Sequence, residues 1–233
     1  MIESKLYKRV LTFFAHPDDE TLAAGATISK MCRMGIEVHA AIPATGVTSR
    51  RNIKDQATLE SEFQVIQEDC RKAMEVYGIP QDRIYLGGFP DNEMDKGSLL
   101  ELVHWLEDII QQISPDLIMT HHKYCTNIDH RYCHEAAVVA ARPSVDSHIA
   151  VWCGEVPSST GYLRPAHWEP NLHVDVSAED VARKIKAMQC YRGESRPDPH
   201  PRSPEVLRAL AKVRGSEGGF MWAEAFMMQK TFG

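Results

Sequence analysis

The sequence predicts an α/β fold, a mostly parallel sheet flanked by helices with the active site at the carboxyl ends of its strands. Three observations carry this expectation. Short apolar runs alternate with amphipathic segments of helical length as far as residue 120, the pattern of consecutive βαβ units. The chain has 233 residues, 43% of them hydrophobic, enough to bury a substantial core, and we expect residues 1–233 to form one domain. Polar chemistry gathers where apolar runs stop, at residues 16–20 and 121–134, and open parallel sheets bind ligands in the crevice beyond the carboxyl ends of their strands.

The elements follow in order. "RVLTFFA" (9–15) is a buried strand, and "TLAAGATISKMCRMG" (21–35) is the helix after it, closed by Gly35. "IEVHAAIPA" (36–44) is a second strand and "LESEFQVIQEDCRKAMEVYG" (59–78) a long amphipathic helix. A short strand "RIYLGG" (83–88) enters the loop "FPDNEMDKGS" (89–98). The helix "LLELVHWLEDIIQQI" (99–113) stops at Ser114-Pro115, where proline cannot continue the hydrogen-bond ladder, before the strand "DLIMT" (116–120). Beyond Arg142-Pro143 the alternation weakens. "IAVWCGEV" (149–156) and "LHVDVS" (172–177) read as strands and residues 178–191 as a helix. "RGESRPDPHPRSP" (192–204) is too rich in proline and charge for regular structure and reads as a surface loop of a length often used for function.

Bulk properties narrow the function. A formal net charge of -6 gives no global attraction to nucleic acid or anionic membrane, which leaves a small-molecule or sugar-sized substrate. No apolar run approaches the roughly 18 residues of a membrane span, and no leader pattern opens the chain, so a cytoplasmic protein is expected. The six cysteines form no C-x-x-C pair, which argues against a disulfide framework or a thiolate zinc site. Each reads as a small buried side chain, and only Cys125 and Cys133 lie close enough to a histidine cluster to have a site role.

Asp18, Asp19 and Glu20 follow His16 and Pro17 at the end of the first strand. Adjoining acids repel one another unless something positive sits among them, and a metal ion is the natural candidate. A tight turn at Pro17 brings His16 and Asp19 to face one point and leaves Asp18 pointing elsewhere, free. The fourth strand runs into "HHKYCTNIDHRYCHEAA", which holds His121, His122, His130 and His134, with Asp129 beside His130. Two imidazoles and a carboxylate with an open position form the ligand set of a catalytic zinc site, whereas magnesium prefers oxygen. His130 with His134, four apart on one helical face, is a competing geometry, and histidines at a helix start also serve in capping and packing. Arg50, Arg51 and the "PDNEMD" loop (90–95) flank strand ends and are either sugar contacts or solvated charge. Trp152, Trp168 and Tyr162 are either stacking platforms or packing.

The motifs "AHPDDE" (15–20), "NIDHR" (127–131), "PHPRS" (199–203) and "RGSEGGFMWAEAF" (214–226), in this order across most of the chain, resemble those of the LmbE-like, or PIG-L, family of zinc-dependent de-N-acetylases. The resemblance implies a Rossmann-like sheet and a zinc cofactor held by His16, Asp19 and His130. It further implies Asp18 as general base, Asp129 as support for a neighbouring histidine, and N-acetylated amino sugars as substrates. Many relatives carry a histidine three residues before the last ligand, where this chain has Asn127. His200, on a proline-held loop, is our candidate for the missing oxyanion donor, in its own site or in that of a neighbouring subunit should the protein be a homo-oligomer. Arg50, Asn127 and Arg202 are candidate substrate contacts. The expected activity is zinc-dependent removal of an N-acetyl group from an amino sugar or its conjugate. Alternatives are an amidase for another small amide conjugate, a magnesium-dependent phosphoacceptor domain and a silent metal-binding protein.

Overall fold

The computed structural model of the protein describes residues 7–44, 46, 56–162 and 168–232. Seven strands form one sheet: β1 (Arg9–Phe13), β2 (Glu37–Ala44), β3 (Ile84–Phe89), β4 (Leu117–His121), β5 (Ala150–Gly154), β6 (Leu172–Asp175) and β7 (Ala223–Lys230). Their order is β3-β2-β1-β4-β5-β7-β6. The pairs β1/β2, β1/β4, β2/β3 and β4/β5 are parallel, and β7 runs antiparallel to both β5 and β6. The helices are α1 (Asp19–Arg33), α2 (Gln56–Tyr77), α3 (Leu99–Ile113), α4 (Ile128–Ala140), α5 (Ala178–Met188) and α6 (Pro204–Gly218).

Strand β1 is covered on both faces, which is why it reads as an unbroken apolar run. Val10 and Phe14 join the core shared with α1, α2, α5 and α6, whereas Leu11, Phe13 and Ala15 join the core shared with α3 and α4. Strand order reverses between β1 and β4, and ligands of open α/β sheets bind at such a switch point. The two polar clusters of the sequence leave the sheet there, on neighbouring strands.

Three elements go beyond the sequence expectation. Helix α4 starts at Asn127, whose side chain accepts from the Asp129 amide, so the polar run 127–134 is a helix start. Helix α6 begins where the loop 192–204 ends: Ser203 caps it by accepting from the Val206 amide, and Pro204 occupies its first turn. Strand β7 has a buried first half and a more exposed second half, and its antiparallel course between β5 and β6 accounts for the weakened βα alternation. Among the described residues no helix is long and apolar enough to cross a membrane.

Candidate metal centre and active-site pocket

The turn between β1 and α1 sets the site. The Asp19 amide donates to the His16 carbonyl at 3.2 Å and the His16 amide to Asp19 Oδ2 at 3.1 Å, a reciprocal closure that brings the two side chains together. Asp18, the N-cap residue, sits at φ 115°, a left-handed conformation uncommon outside glycine. Its carbonyl accepts the Leu22 amide at 2.8 Å, but its carboxylate caps nothing in the helix and is left to the pocket. Negative charge at Asp19 and Glu20 is favoured by the helix N-terminus they occupy.

His16 Nδ1 lies 3.0 Å from Asp19 Oδ2, Asp19 Oδ2 lies 3.0 Å from His130 Nε2, and His130 Nε2 lies 3.3 Å from His16 Nδ1. A tetrahedral zinc ion with bonds of about 2.0–2.1 Å requires donor atoms roughly 3.3 Å apart. The triangle thus has the size and the two-imidazole, one-carboxylate chemistry that zinc needs, and these three residues would hold it. His16 is the most open of the three, with 13% of its side chain exposed against 2% for Asp19 and 3% for His130.

The partners behind the triangle fix the histidine tautomers. His16 Nε2 is 3.0 Å from Asp129 Oδ2 and 3.1 Å from Asp91 Oδ1, so its ring proton sits there and Nδ1 is left to face the triangle. Asp129 also accepts the Asn92 amide at 2.6 Å and the Met94 amide at 3.1 Å, which commits its carboxylate to holding the ring. His130 Nδ1 meets Cys125 Sγ at 3.0 Å and Ser159 Oγ at 3.4 Å. His121 stacks on His130 at 3.8 Å, and its Nε2 accepts the Ala15 amide at 2.7 Å.

Burial dominates the electrostatics, and neighbours then redistribute the protons. Burial opposes charge on His16, but Asp129, Asp19 and Asp91 outweigh it and hold the imidazole well above its usual range. His130 is pushed up to about 9, burial being overcome chiefly by Asp19. Burial raises Asp19, yet His130 and His16 carry it well below the usual carboxylate range. Asp18 goes the other way: burial pushes it well up, Arg202 opposes the rise, and Asp19, Glu194 and Glu20 add to it. His121 is pushed well down by burial and by the charge on His130.

A pocket of about 610 Å³ opens over the triangle, lined by the β1–α1 turn, the loop after β3, the start of α4, the loop after β5 and the loop 192–202. Asp18 is not free, as the sequence reading expected. Arg202 Nη1 reaches its Oδ2 at 2.9 Å, because loop 192–204 folds back over the turn, and the same guanidinium pairs with Glu194. Arg202 therefore grips the site's own acid. Asn127 lines the pocket but spends its side chain on the frame, accepting from Asp129 at 2.9 Å and donating to Asn92 Oδ1 at 2.8 Å. His200 is exposed on the pocket rim, and its Nδ1 accepts the Arg202 amide at 3.1 Å. Arg50 and Arg51 lie outside the described residues.

The competing pair of His130 with His134 does not form. His134 turns its Nδ1 to the His121 carbonyl at 2.9 Å. His122 packs against Tyr124 and Trp168, Trp152 against Tyr7 and Phe226, and Tyr162 is exposed. Cys133 belongs to the core. Sequence reasoning missed Asp91, Glu194, Cys125 and Ser159. For Asp91 a signal was present, since its loop follows a parallel strand's carboxyl end.

A family model described as PIG-L: GlcNAc-PI de-N-acetylase matches residues 11–141. An uncharacterized deacetylase, YaiS, of Escherichia coli K12 is 28% identical over 193 residues, covering 79% of this chain and 91% of that protein. A probable N-acetyl-alpha-D-glucosaminyl L-malate deacetylase 2 of Bacillus cereus is 32% identical over 114 residues, 48% of this chain and 51% of that protein. Among solved structures, the N,N'-diacetylchitobiose deacetylase of Pyrococcus horikoshii superposes with a TM-score of 0.75 at 22% identity, covering 96% of this chain and 84% of that chain. The 4-carboxy-2-hydroxymuconate hydratase GalB of Pseudomonas putida superposes with a TM-score of 0.72 at 16% identity, covering 97% and 98%. These structural likenesses show the fold.

Proposed function

The chain belongs to the PIG-L family of GlcNAc-PI de-N-acetylases, and from that premise we propose that it is a zinc-dependent hydrolase removing an N-acetyl group from an amino sugar or sugar conjugate. The observation that carries this reading is the triangle of His16, Asp19 and His130 donor atoms, none more than 3.3 Å from the next, with Asp18 beside it in the same pocket. Bound zinc supplies Lewis acidity there, polarising an acetamide carbonyl and acidifying water.

The protein's own residues do the rest. Arg202 holds Asp18 by Oδ2, and Oδ1 has no partner among the described residues, so one oxygen of the buried carboxylate is available to take a proton from the attacking water. Its elevated proton affinity, set mainly by burial, suits a group that must accept that proton and then return it to the departing amine. The water oxygen bonds to the carbonyl carbon, the carbon–nitrogen bond breaks, and acetate and a free amine leave. His200 is our donor for the developing oxyanion: with Nδ1 accepting a backbone amide, its proton resides on Nε2, which has no partner among the described residues. Arg202 acts on Asp18 in this reading, and Asn127 frames the pocket.

A magnesium phosphoacceptor site fits poorly, because two of the three converging donors are imidazoles. The test is acetate release from a panel of free, nucleotide-linked and glycosidic N-acetylamino sugars, run beside N-acetylated amino acids. Release confined to the sugars is expected. Release confined to the amino acids would replace this reading with that of a different amidase.

A further inference from the structure

His16 and His130 are held by different chemistry. Behind His16 stands a carboxylate, Asp129, already saturated by two backbone amides. Behind His130 stands a thiol: Cys125 Sγ lies 3.0 Å from Nδ1, on the side of the ring opposite the Nε2 that faces Asp19 and His16. We infer that Cys125 is the positioning residue for His130, accepting the Nδ1 proton and thereby turning the Nε2 lone pair toward the zinc position. The inference rests on the zinc reading above and assigns Cys125 no place among the ligands.

The backbone around Cys125 is built to hold the sulfur where it is. Arg131, one residue after His130 on α4, reaches back with Nη1 to the carbonyls of Cys125 at 2.8 Å, Thr126 at 3.1 Å and Asn127 at 3.4 Å. Thr126 is tied to the Ser159 carbonyl by its amide at 3.2 Å and by its hydroxyl at 3.0 Å. The Cys125 amide donates to the His122 carbonyl at 3.3 Å. The segment that brings the thiol is therefore clamped from α4 and from the loop after β5. Cys125 is fully buried, and its sulfur meets a ring nitrogen there. A cysteine serving only to fill space would have no need of that register. Ser159 Oγ, at 3.4 Å from the same Nδ1, is the longer of the two contacts, and the stacked His121 ring blocks rotation on one face.

Removing the group that orients a metal-bound histidine commonly weakens metal affinity by about 10–100-fold. The experiment measures zinc dissociation constants by chelator competition for wild type, Cys125→Ala and Cys125→Ser, with thermal melts of the chelator-treated proteins to keep folding separate. Cobalt-substituted spectra are recorded alongside. The alanine variant is expected to lose about 10–100-fold in affinity at an unchanged melting temperature of the chelated protein, and serine, which keeps an acceptor, to recover most of it. The cobalt protein should show no sulfur-to-metal charge-transfer band. Equal affinity in wild type and Cys125→Ala would overturn the role of Cys125 and leave the zinc reading standing, as would equal losses in both variants that follow their melting temperatures. A sulfur charge-transfer band would overturn it by making Cys125 a ligand. Failure of the wild type to bind zinc would instead overturn the proposed function on which the inference rests.

Discussion

At the scale of single residues, the site is a set of proton assignments fixed by partners. His16 and His130 both hold protons more tightly than an ordinary imidazole, with His130 near 9 against a usual 6.5. Zinc must displace those protons, so its affinity should climb steeply from pH 6.5 to about 9, measurable by chelator competition at fixed ionic strength. The sign for stability is the reverse. In chelator-treated protein, a folded-state pKa raised above the unfolded value stabilises below pH 6.5, and that contribution is lost as pH rises through about 9. His200→Ala should lower kcat roughly a hundredfold or more with little change in KM, the pattern expected of a donor to a transition-state charge. A KM effect alone would make His200 a binding residue. Much of this was legible in the sequence because His16, Pro17, Asp18 and Asp19 are contiguous, and a turn at a strand end has few ways to arrange them. The Arg202 grip on Asp18 was not legible, since the two are separated by most of the chain and meet only through tertiary folding.

At the scale of elements, the placement of α1 decides the geometry, since its N-terminus carries Asp18 and Asp19. A buried ion pair holds the helix from its far side. Glu224 of β7 accepts the amides of Ala26 at 3.1 Å and Thr27 at 2.7 Å, while Lys184 of α5 bonds Glu224 at 2.6 Å and the Leu22 carbonyl at 2.8 Å. Gly25 is required in this crossing, because a Cβ there would stand 2.5 Å from the Tyr77 hydroxyl and 2.9 Å from the Lys184 side chain. Lys184→Met should cost about 3–5 kcal/mol in urea unfolding, since it leaves Glu224 buried without its counter-charge. A loss below 1 kcal/mol would mean that the helix amides alone satisfy Glu224. The parallel strands were legible because they are buried on both faces and read as apolar runs. Helix α6 and β7 were not read as elements: Ser203 and Pro204, which cap and open α6, resemble loop chemistry when seen in sequence.

At the scale of the whole molecule, topology gathers the site. The strand-order reversal between β1 and β4 opens the crevice, and the long loop 192–204 crosses it, tied at one end by Arg192 Nε to Asp69 at 2.8 Å and at the other by Arg202 to Asp18. Asp91, Glu194, Cys125 and Ser159 reach the pocket from four different segments, which is why no local motif revealed them. Because the ligands come from both sides of the switch point, zinc should stabilise the fold as a whole. At a free zinc concentration a thousandfold above the dissociation constant the gain is about 4 kcal/mol, so chelation should lower Tm by roughly 10 °C. The measurement that bears most directly on the central claim is acetate release by wild type and Asp18→Asn, each with its zinc content determined. The account predicts one zinc per chain in both, with turnover in the variant reduced by at least a hundredfold. Undiminished turnover in a variant that holds its zinc would contradict it.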